Sequence, residues 1–502
     1  MLFSCMIDEQ TVIKFIFGLK VRELRLERDL SFHELSNATG LSISYLSEIE
    51  KGKKYPKADK ILQLAHALEV EYDQLVSMRV SKRLAPIVRV LQSDFFREFP
   101  LDMFGLETQK IIELISSAPN KINAFLSTLL QLARHYEIRT EQFYGVALRA
   151  YQDLYDNYFA DTEDAVEQFR KKYSFTSRTP VSSSALEEVL RNKFDIKVNR
   201  TDLPKSTVLK HLRSFFHTGR RELMINNGLT TAQENFLMGR ELAFQFMKLT
   251  DRPQETPPQQ PGTFEELLNN YRASYFSAAL LIEKRTIIQD IQRFAQLKRW
   301  RGDALLQFLN KYEATPEMLF QRLTNILPTY FGIKNLFFLR FVGTDDFSNY
   351  ELNKELHLSQ FHSPHANQLH EHYCRRWISI NIIKELRSQQ KLDPHKKVIT
   401  GIQISKYWKT TNQYLCLSIA KSNESNPQES ISVTVGFLID SKLKKQIRFL
   451  EDARITTQTV HTTCERCAIS NCRVRMAPPL VIEQEKRKAA IQKELDRIIK
   501  SD

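Results

Sequence analysis

Glycine is scarce in this chain, 14 in 502 residues, and long stretches lack both glycine and the 17 prolines. That shortage disfavours a turn-rich all-β architecture and favours helices. Long apolar runs are missing as well. The longest nearly continuous one, Tyr275 to Ile282, falls far below the ~18 residues that a bilayer crossing requires, so no membrane partner is expected. The first residues are apolar but include Asp8 and Glu9, with no basic lead and no small-residue cleavage site. This argues against a signal peptide and for a cytoplasmic protein. Cysteines number six, too few for a disulfide scaffold, yet Cys464, Cys467 and Cys472 fall within nine residues. Such crowding reads as metal binding in a reducing compartment.

What is present is ordinary for a folded soluble protein: 42% apolar and 26% charged residues. The length suits about three or four domains. A net charge of +13 fits an anionic partner such as DNA or a phosphorylated ligand. The excess is not at the N-terminus, where residues 1–80 hold 11 Lys/Arg against 12 Asp/Glu. It lies further along, at Arg170 to Lys172 and between Arg191 and Arg221.

From Ile13 to Asp29, Ile16, Leu19, Leu24 and Leu26 recur at helical spacing among Lys20, Arg22, Arg25 and Arg28. Ser31 followed by Glu34 is a capping-box signature and opens a short helix, Phe32 to Thr39. Gly40 permits the positive φ of a tight inter-helix turn. Leu41 plugs the core, Ser42 caps a second helix, Ile43 to Lys51, and Gly52 stops it. Pro56 punctuates the next loop before an amphipathic helix, Ala58 to Leu68. This string resembles the Cro/C1 (XRE) helix-turn-helix family over about 60 residues, through Leu35, Gly40, Ser42, Ser47, Ile49, Glu50, Gly52, Pro56 and Leu68. The resemblance makes Ile43 to Lys51 the recognition helix for double-stranded DNA, with Ile43, Ser44 and Glu48 facing base edges and Ser42 near a phosphate. It also implies a buried Arg25–Glu50 ion pair. Phe32 departs from the family, which usually has a phosphate-touching Gln there. The chemistry agrees: serine reaches either base type, Ile43 packs on a thymine methyl and Glu48 accepts from cytosine N4. Tyr45 shares the exposed start of that helix. Lys51, Lys53, Lys54 and Lys57 supply phosphate contacts.

Residues 81–175 read as a helical linker and dimerisation region, with stripes such as Leu84, Ile87, Val90, Leu91 and Phe125, Leu129, Leu132. From 176 to 344 the pattern changes. A helix leads into a strand near Asp195 to Val198, and RRELMINNGLTTAQENFLMGRELAFQFM resembles the core of the ImmA/IrrE metallopeptidase-like domain. That family carries His-Glu-x-x-His, two zinc ligands one turn apart around a glutamate base. The aligned residues here run from Arg240 through Glu241 to Phe244, so only the glutamate remains. His211 and His217 lie upstream without the i, i+4 spacing. A peptidase-like core without a zinc site, and no enzyme, is the expectation. The Pro-rich stretch Arg252 to Gly262 reads as an exposed loop within this domain.

Beyond 344, strand-like runs (Tyr414 to Ser418, Ile431 to Ile439) alternate with helices such as Ile380 to Leu386, forming an α/β domain over 345–480. Its end carries Cys464, Cys467 and Cys472 in C-x2-C-x4-C spacing, followed by Arg475, Pro478 and Pro479. Thiolates so spaced chelate a soft metal, and a fourth ligand could be Cys374, His461, solvent or a bound molecule. The histidines from His357 to His372 read as solvated, and Cys416 as a buried strand position. A charged amphipathic tail helix, solvated or at a dimer seam, occupies 481–502. The organisation resembles the short-chain fatty acyl regulator family, with its XRE head, degenerate ImmA/IrrE-like domain and C-terminal cysteine domain. The matching pattern is Cys464, Cys467, Cys472, Arg475, Pro478 and Pro479, with Cys374 and Trp377 upstream. That resemblance implies a short-chain acyl-CoA effector and an iron–sulfur cluster on three cysteines. From the residues alone, zinc is the alternative to a cluster, and free thiols come after it.

The expected whole is mainly α with a C-terminal α/β part. A five-helix Cro/C1-type DNA-binding head (1–80) precedes a helical linker, a peptidase-like α+β core without a zinc site and a cysteine-bearing α/β domain. Its expected function is a homodimeric, sequence-specific transcription regulator responding to a small-molecule or redox signal. The alternatives are a phage-type immunity regulator controlled by a protein partner, and a DNA-tethered peptidase.

Overall fold

The computed structural model describes residues 9–77, 79–80, 140–175, 179–209, 211–258, 262–344, 349–358, 371–424 and 426–499. Among them a helical N-terminal region is followed by an α/β region with two sheets. The linker stripes at Leu84 to Leu91 and Phe125 to Leu132, Cys5, and His365 and His370 lie outside the described residues. No helix among the described residues is long and apolar enough to cross a membrane. The chain divides into two compact units, 1–151 with 260–267, and 152–259 with 268–502.

The first unit begins with five helices: α1 (Glu9–Glu27), α2 (Phe32–Thr39), α3 (Ile43–Glu50), α4 (Ala58–Ala67) and α5 (Tyr72–Val76). The capping box read at Ser31 and Glu34 is formed: Glu34 N–H donates to Ser31 Oγ, and Ser31 N–H donates to the Glu34 carboxylate. Gly40 adopts φ +70°, the left-handed turn its position requires. Phe17, Val21, Leu35, Leu46, Ile49, Ile61 and Leu64 close a single core between the helices. A second glycine, Gly18 on α1, sits so close to α3 that a Cβ there would lie 2.2 Å from the Ile49 carbonyl oxygen. The unit continues with α6 (Thr140–Leu154), whose last three residues pass into the second unit.

The second unit starts with α7 (Ala160–Lys172) and α8 (Ser183–Phe194), then strands β1 (Lys197–Asn199), β2 (Ser214–His217), β3 (Glu222–Ile225) and β4 (Glu255–Thr256) in the order β1-β3-β2-β4. β1 pairs parallel with β3; the other two pairings are antiparallel. The Pro-rich stretch is therefore not simply an exposed loop. Glu255 and Thr256 pair with Phe215 and Ser214 at the sheet edge, a role that proline-flanked residues accept because edge strands leave donors unused. Further helices are α9 (Thr231–Phe246), α10 (Phe264–Leu281), α11 (Lys284–Ala295), α12 (Gly302–Tyr312) and α13 (Pro316–Ile326).

A six-stranded sheet follows, in order β10-β7-β8-β9-β5-β6, from β5 (Leu336–Thr344), β6 (Tyr350–His357), β7 (Val398–Tyr407), β8 (Gln413–Ser422), β9 (Glu429–Leu438) and β10 (Thr457–Val460). The strand expected to end the peptidase-like region is β5, and it hydrogen-bonds along its length to β9. The boundary drawn at 344 thus runs between two paired strands of one sheet. Helix α14 (Ile378–Leu392) packs Ile378, Ile382, Ile383 and Leu386 against Phe337, Phe341 and Cys416 on one face. The opposite face, with Leu417 and Phe437, looks toward α11, α13, α15 (Ser441–Gln446) and the turn at Arg448–Glu451. The tail forms α16 (Leu480–Ile499), which buries no side chain.

Candidate functional site

The orientation of α3 is set from inside the head. Arg25 donates Nε–H to Glu50 Oε1 at 2.6 Å and Nη2–H to Oε2 at 2.9 Å, so the expected buried pair is formed with two parallel bonds. Its third group, Nη1, donates to the Leu30 carbonyl and so binds the α1–α2 turn to the end of α3. Phe32 fits this arrangement: its ring centroid lies 4.2 Å from the Arg25 guanidinium, an aromatic floor under the buried cation. Lys20 donates to the Gln74 and Ser77 carbonyls and holds the end of α5 onto α1; burial lowers its affinity for a proton, against the nearby Glu23.

With its back so fixed, α3 presents its start outward. Ser42 caps the helix, its Oγ accepting from Tyr45 N–H at 3.3 Å, and Ile43 and Ser44 are exposed beside it. Tyr45 is half-buried, with Lys60 Nζ 4.5 Å from its ring centroid. Glu48 is also half-buried; its carbonyl receives the Lys53 and Lys54 N–H groups, which curls the following loop back on the helix. Lys51, Lys53 and Lys54 stand exposed on that loop. The sequence motif alone did not point to Lys60, which α4 brings alongside Tyr45.

In the peptidase-like core, α9 carries Arg240, Glu241 and Phe244, all buried. Arg252 donates to both Glu241 oxygens, at 2.8 and 2.7 Å, and Gln245 adds a third bond at 2.8 Å. Arg240 reaches Thr256 Oγ1 at 2.5 Å and Asn270 Oδ1, while burial and the neighbouring Arg252 push its pKa down to about 10. His217 Nδ1 accepts from Arg220 N–H, and His211 is exposed. The carboxylate that would activate water in a metallopeptidase is thus occupied by a guanidinium, and a second guanidinium stands at a ligand position.

The cysteines gather from two distant segments. An isolated bridge joins Tyr373 to Thr463; Cys374 N–H donates to the Thr462 carbonyl and Cys464 N–H to the His372 carbonyl. This clip brings Cys374 to a small cavity of about 10 Å³ that Cys464, Cys467 and Cys472 also line. Arg475 organises the loop, donating to the carbonyls of Cys464, Cys467 and Ile469. Two sulfurs accept backbone N–H groups, Cys374 from His461 and Cys464 from Met476. His461 turns its Nδ1 to Thr462, while His372 pairs with Glu465 at 2.8 Å. Burial, reinforced by the Cys464 and Cys467 sulfurs, pushes the Cys374 thiol up to about 11. Cys416 lies apart in the α14 core. Among the described residues no disulfide joins these five cysteines, and no three His, Cys, Asp or Glu side chains close into a metal-holding set. Four thiols thus line one small cavity, and backbone N–H groups are directed at two of their sulfurs.

Comparison with known proteins places these parts. A helix-turn-helix domain model matches residues 18–78, and an IrrE N-terminal-like domain model matches residues 191–324. The HTH-type transcriptional repressor RghR of Bacillus subtilis is 41% identical over 61 residues, 12% of this chain and 45% of that protein. The cryptic phage CTXphi transcriptional repressor RstR of Vibrio cholerae is 32% identical over 81 residues, 16% of this chain and 73% of that one. The propionyl-CoA carboxylase regulator of Cereibacter sphaeroides is 22% identical over 316 residues, 57% of this chain and 62% of its own. The chain therefore spans less than two thirds of RghR and of the carboxylase regulator. The head is a module for double-stranded DNA, and the chain belongs to the XRE-type helix-turn-helix transcriptional regulators, with an IrrE-like domain behind the head.

Proposed function

We propose that this chain is a metabolite-responsive transcription regulator that binds operator DNA as a homodimer, with α3 in the major groove. The observation that carries this reading is the exposed start of α3, held from behind by the Arg25–Glu50 pair and followed by the lysine loop. Ile43, Ser44 and Glu48 meet base edges, Ser42 and Tyr45 flank them, and Lys51, Lys53 and Lys54 meet phosphates. Two heads read half-sites about one DNA turn apart, or a multiple of it. The IrrE-like core serves as scaffold and not as catalyst, a reading supported by the Arg252–Glu241 pairing.

The second unit receives the signal. The relative named for propionyl-CoA carboxylase supports an effector related to short-chain acyl-CoA. The four converging cysteines support a thiolate-held centre, iron–sulfur or zinc, on Cys464, Cys467, Cys472 and Cys374. An effector changes DNA affinity only if it binds one dimer geometry better than the other. The test is a binding selection on genomic fragments with the full chain. Enrichment of a two-fold-related site is expected; no enriched site at any salt concentration contradicts the reading.

A further inference from the structure

On the face of the six-stranded sheet opposite α14 lies a cavity of about 500 Å³, well inside the size range of small-molecule sites. Its floor is Leu417 of β8 and Phe437 of β9, and its walls include Phe294, Phe308, Leu323 and Phe449. Five chain segments far apart in sequence contribute, which is why no motif announces it. No carboxylate lines it. The one cation among the lining residues is Lys445, exposed at the end of α15. Of the other polar lining groups, Gln292 and Gln296 are exposed, Tyr330 bonds Tyr158 at 2.9 Å, and Gln446 donates to the Phe331 carbonyl while its Oε1 is buried without a hydrogen-bond partner.

We propose that this cavity binds a monocarboxylate with an apolar body, the chain or ring lying against Leu417 and Phe437 and the carboxylate at Lys445. An apolar interior admits hydrocarbon and penalises any polar group that finds no partner there. A single cation at the mouth, with no competing acid in the lining, selects an anionic end over a neutral or cationic one. The proposal rests on the reading of the second unit as an effector receiver and gives that unit a ligand class and a place. Leu417 also neighbours Cys416 along β8, so the cavity floor and the α14 core share a strand.

The experiment is calorimetric titration of the full chain with linear carboxylates from butanoate to dodecanoate, and with octanol as the neutral control. Saturable binding is expected, tightening about fourfold per added methylene until the cavity is full. Octanol binds more weakly than octanoate. Lys445→Glu, at an exposed position, weakens octanoate by about three- to tenfold and leaves octanol unchanged. Ala295→Trp, which fills space from the end of α11 without removing a core side chain, abolishes both; circular dichroism and the melting temperature of each variant are checked against the parent.

Absence of saturable binding to any acid by the parent chain overturns the proposal, as does octanoate binding that a folded Ala295→Trp leaves intact. If the parent binds no acid and Ala295→Trp alters sedimentation, the cavity belongs to a protein partner, and the proposal fails. An acyl-CoA response of operator binding that survives both substitutions places the effector elsewhere: this site falls while the effector reading stands. DNA binding is read out separately, so failure here leaves the assignment of the head untouched.

Discussion

Arg252 grips Glu241 with both ends of its guanidinium, and the Phe244 ring centroid lies 3.7 Å from the guanidinium carbon. The Glu241 side chain is 2% exposed, so this pair is a structural element of the core rather than a surface decoration. The scaffold that in a peptidase holds zinc here holds a salt bridge on an aromatic plate.

That pairing has a consequence for reversion. Arg240→His with Phe244→His restores two imidazoles one helical turn apart, but Arg252 still neutralises Glu241. The double variant is expected to gain no zinc over the parent chain after dialysis and to cleave no peptide substrate. An added equivalent of zinc with peptidase activity contradicts the scaffold reading.

In the head, Arg25 and Glu50 are 8% and 4% exposed, so each charge depends on the other. Arg25→Met or Glu50→Leu alone is expected to cost about 3–5 kcal/mol, because the remaining charge stays buried without a partner. The double variant is expected to recover most of that loss. Urea unfolding of the four proteins closes the cycle, and additive losses contradict it.

Burial pushes the Cys416 thiol up to about 12, with a hydrogen bond to Ser405 opposing the rise. In the unfolded chain the thiol titrates near its ordinary value of about 8.5. Between those values the unfolded chain has lost a proton that the folded chain keeps. The stability from this group is present below that ordinary value and is lost as pH rises through the folded-state value. From pH 8 to pH 10 the urea midpoint should fall more steeply for the parent than for Cys416→Ala. Parallel slopes would contradict the buried, protonated thiol.

Anaerobic purification with iron, acid-labile sulfide and zinc quantitation tests the cysteine centre. Either iron with sulfide or zinc is expected in stoichiometric amount, and Cys374→Ser is expected to lower it as Cys464→Ser does, since both sulfurs face one cavity. A metal-free parent chain contradicts the centre. Metal retained in full by Cys374→Ser removes Cys374 from the ligand set.

The parts legible in the sequence are those written in local chemistry. The capping box at Ser31, the left-handed Gly40 and the Ser42 cap each depend on residues within a few positions, and each is formed as read. The missed features depend on residues far apart in the chain. Gly18 looks like an interior helix glycine until Ile49 is laid across it. Arg252 sits in a Pro-rich stretch that reads as exposed loop, and only pairing of Glu255 and Thr256 with β2 draws it onto Glu241. The reach of Cys374 to the C-terminal cysteines was open in sequence because the Tyr373–Thr463 bridge closes 90 residues of chain. The cavity over Leu417 and Phe437 had no local signature at all, being built from side chains that each look like ordinary core.

The central claim, that α3 reads DNA, is tested most directly by the base preference of the full chain in a binding selection, compared between the parent and Ser44→Ala/Glu48→Ala. Both side chains lie off the head core, so folding is expected to be intact. A shifted base preference is expected at positions within each half-site. Lys53→Ala/Lys54→Ala, run alongside, is expected to leave the preference alone and to lower the slope of log affinity against log salt by about 2. An identical preference for the parent and Ser44→Ala/Glu48→Ala would contradict the placement of α3 against the bases.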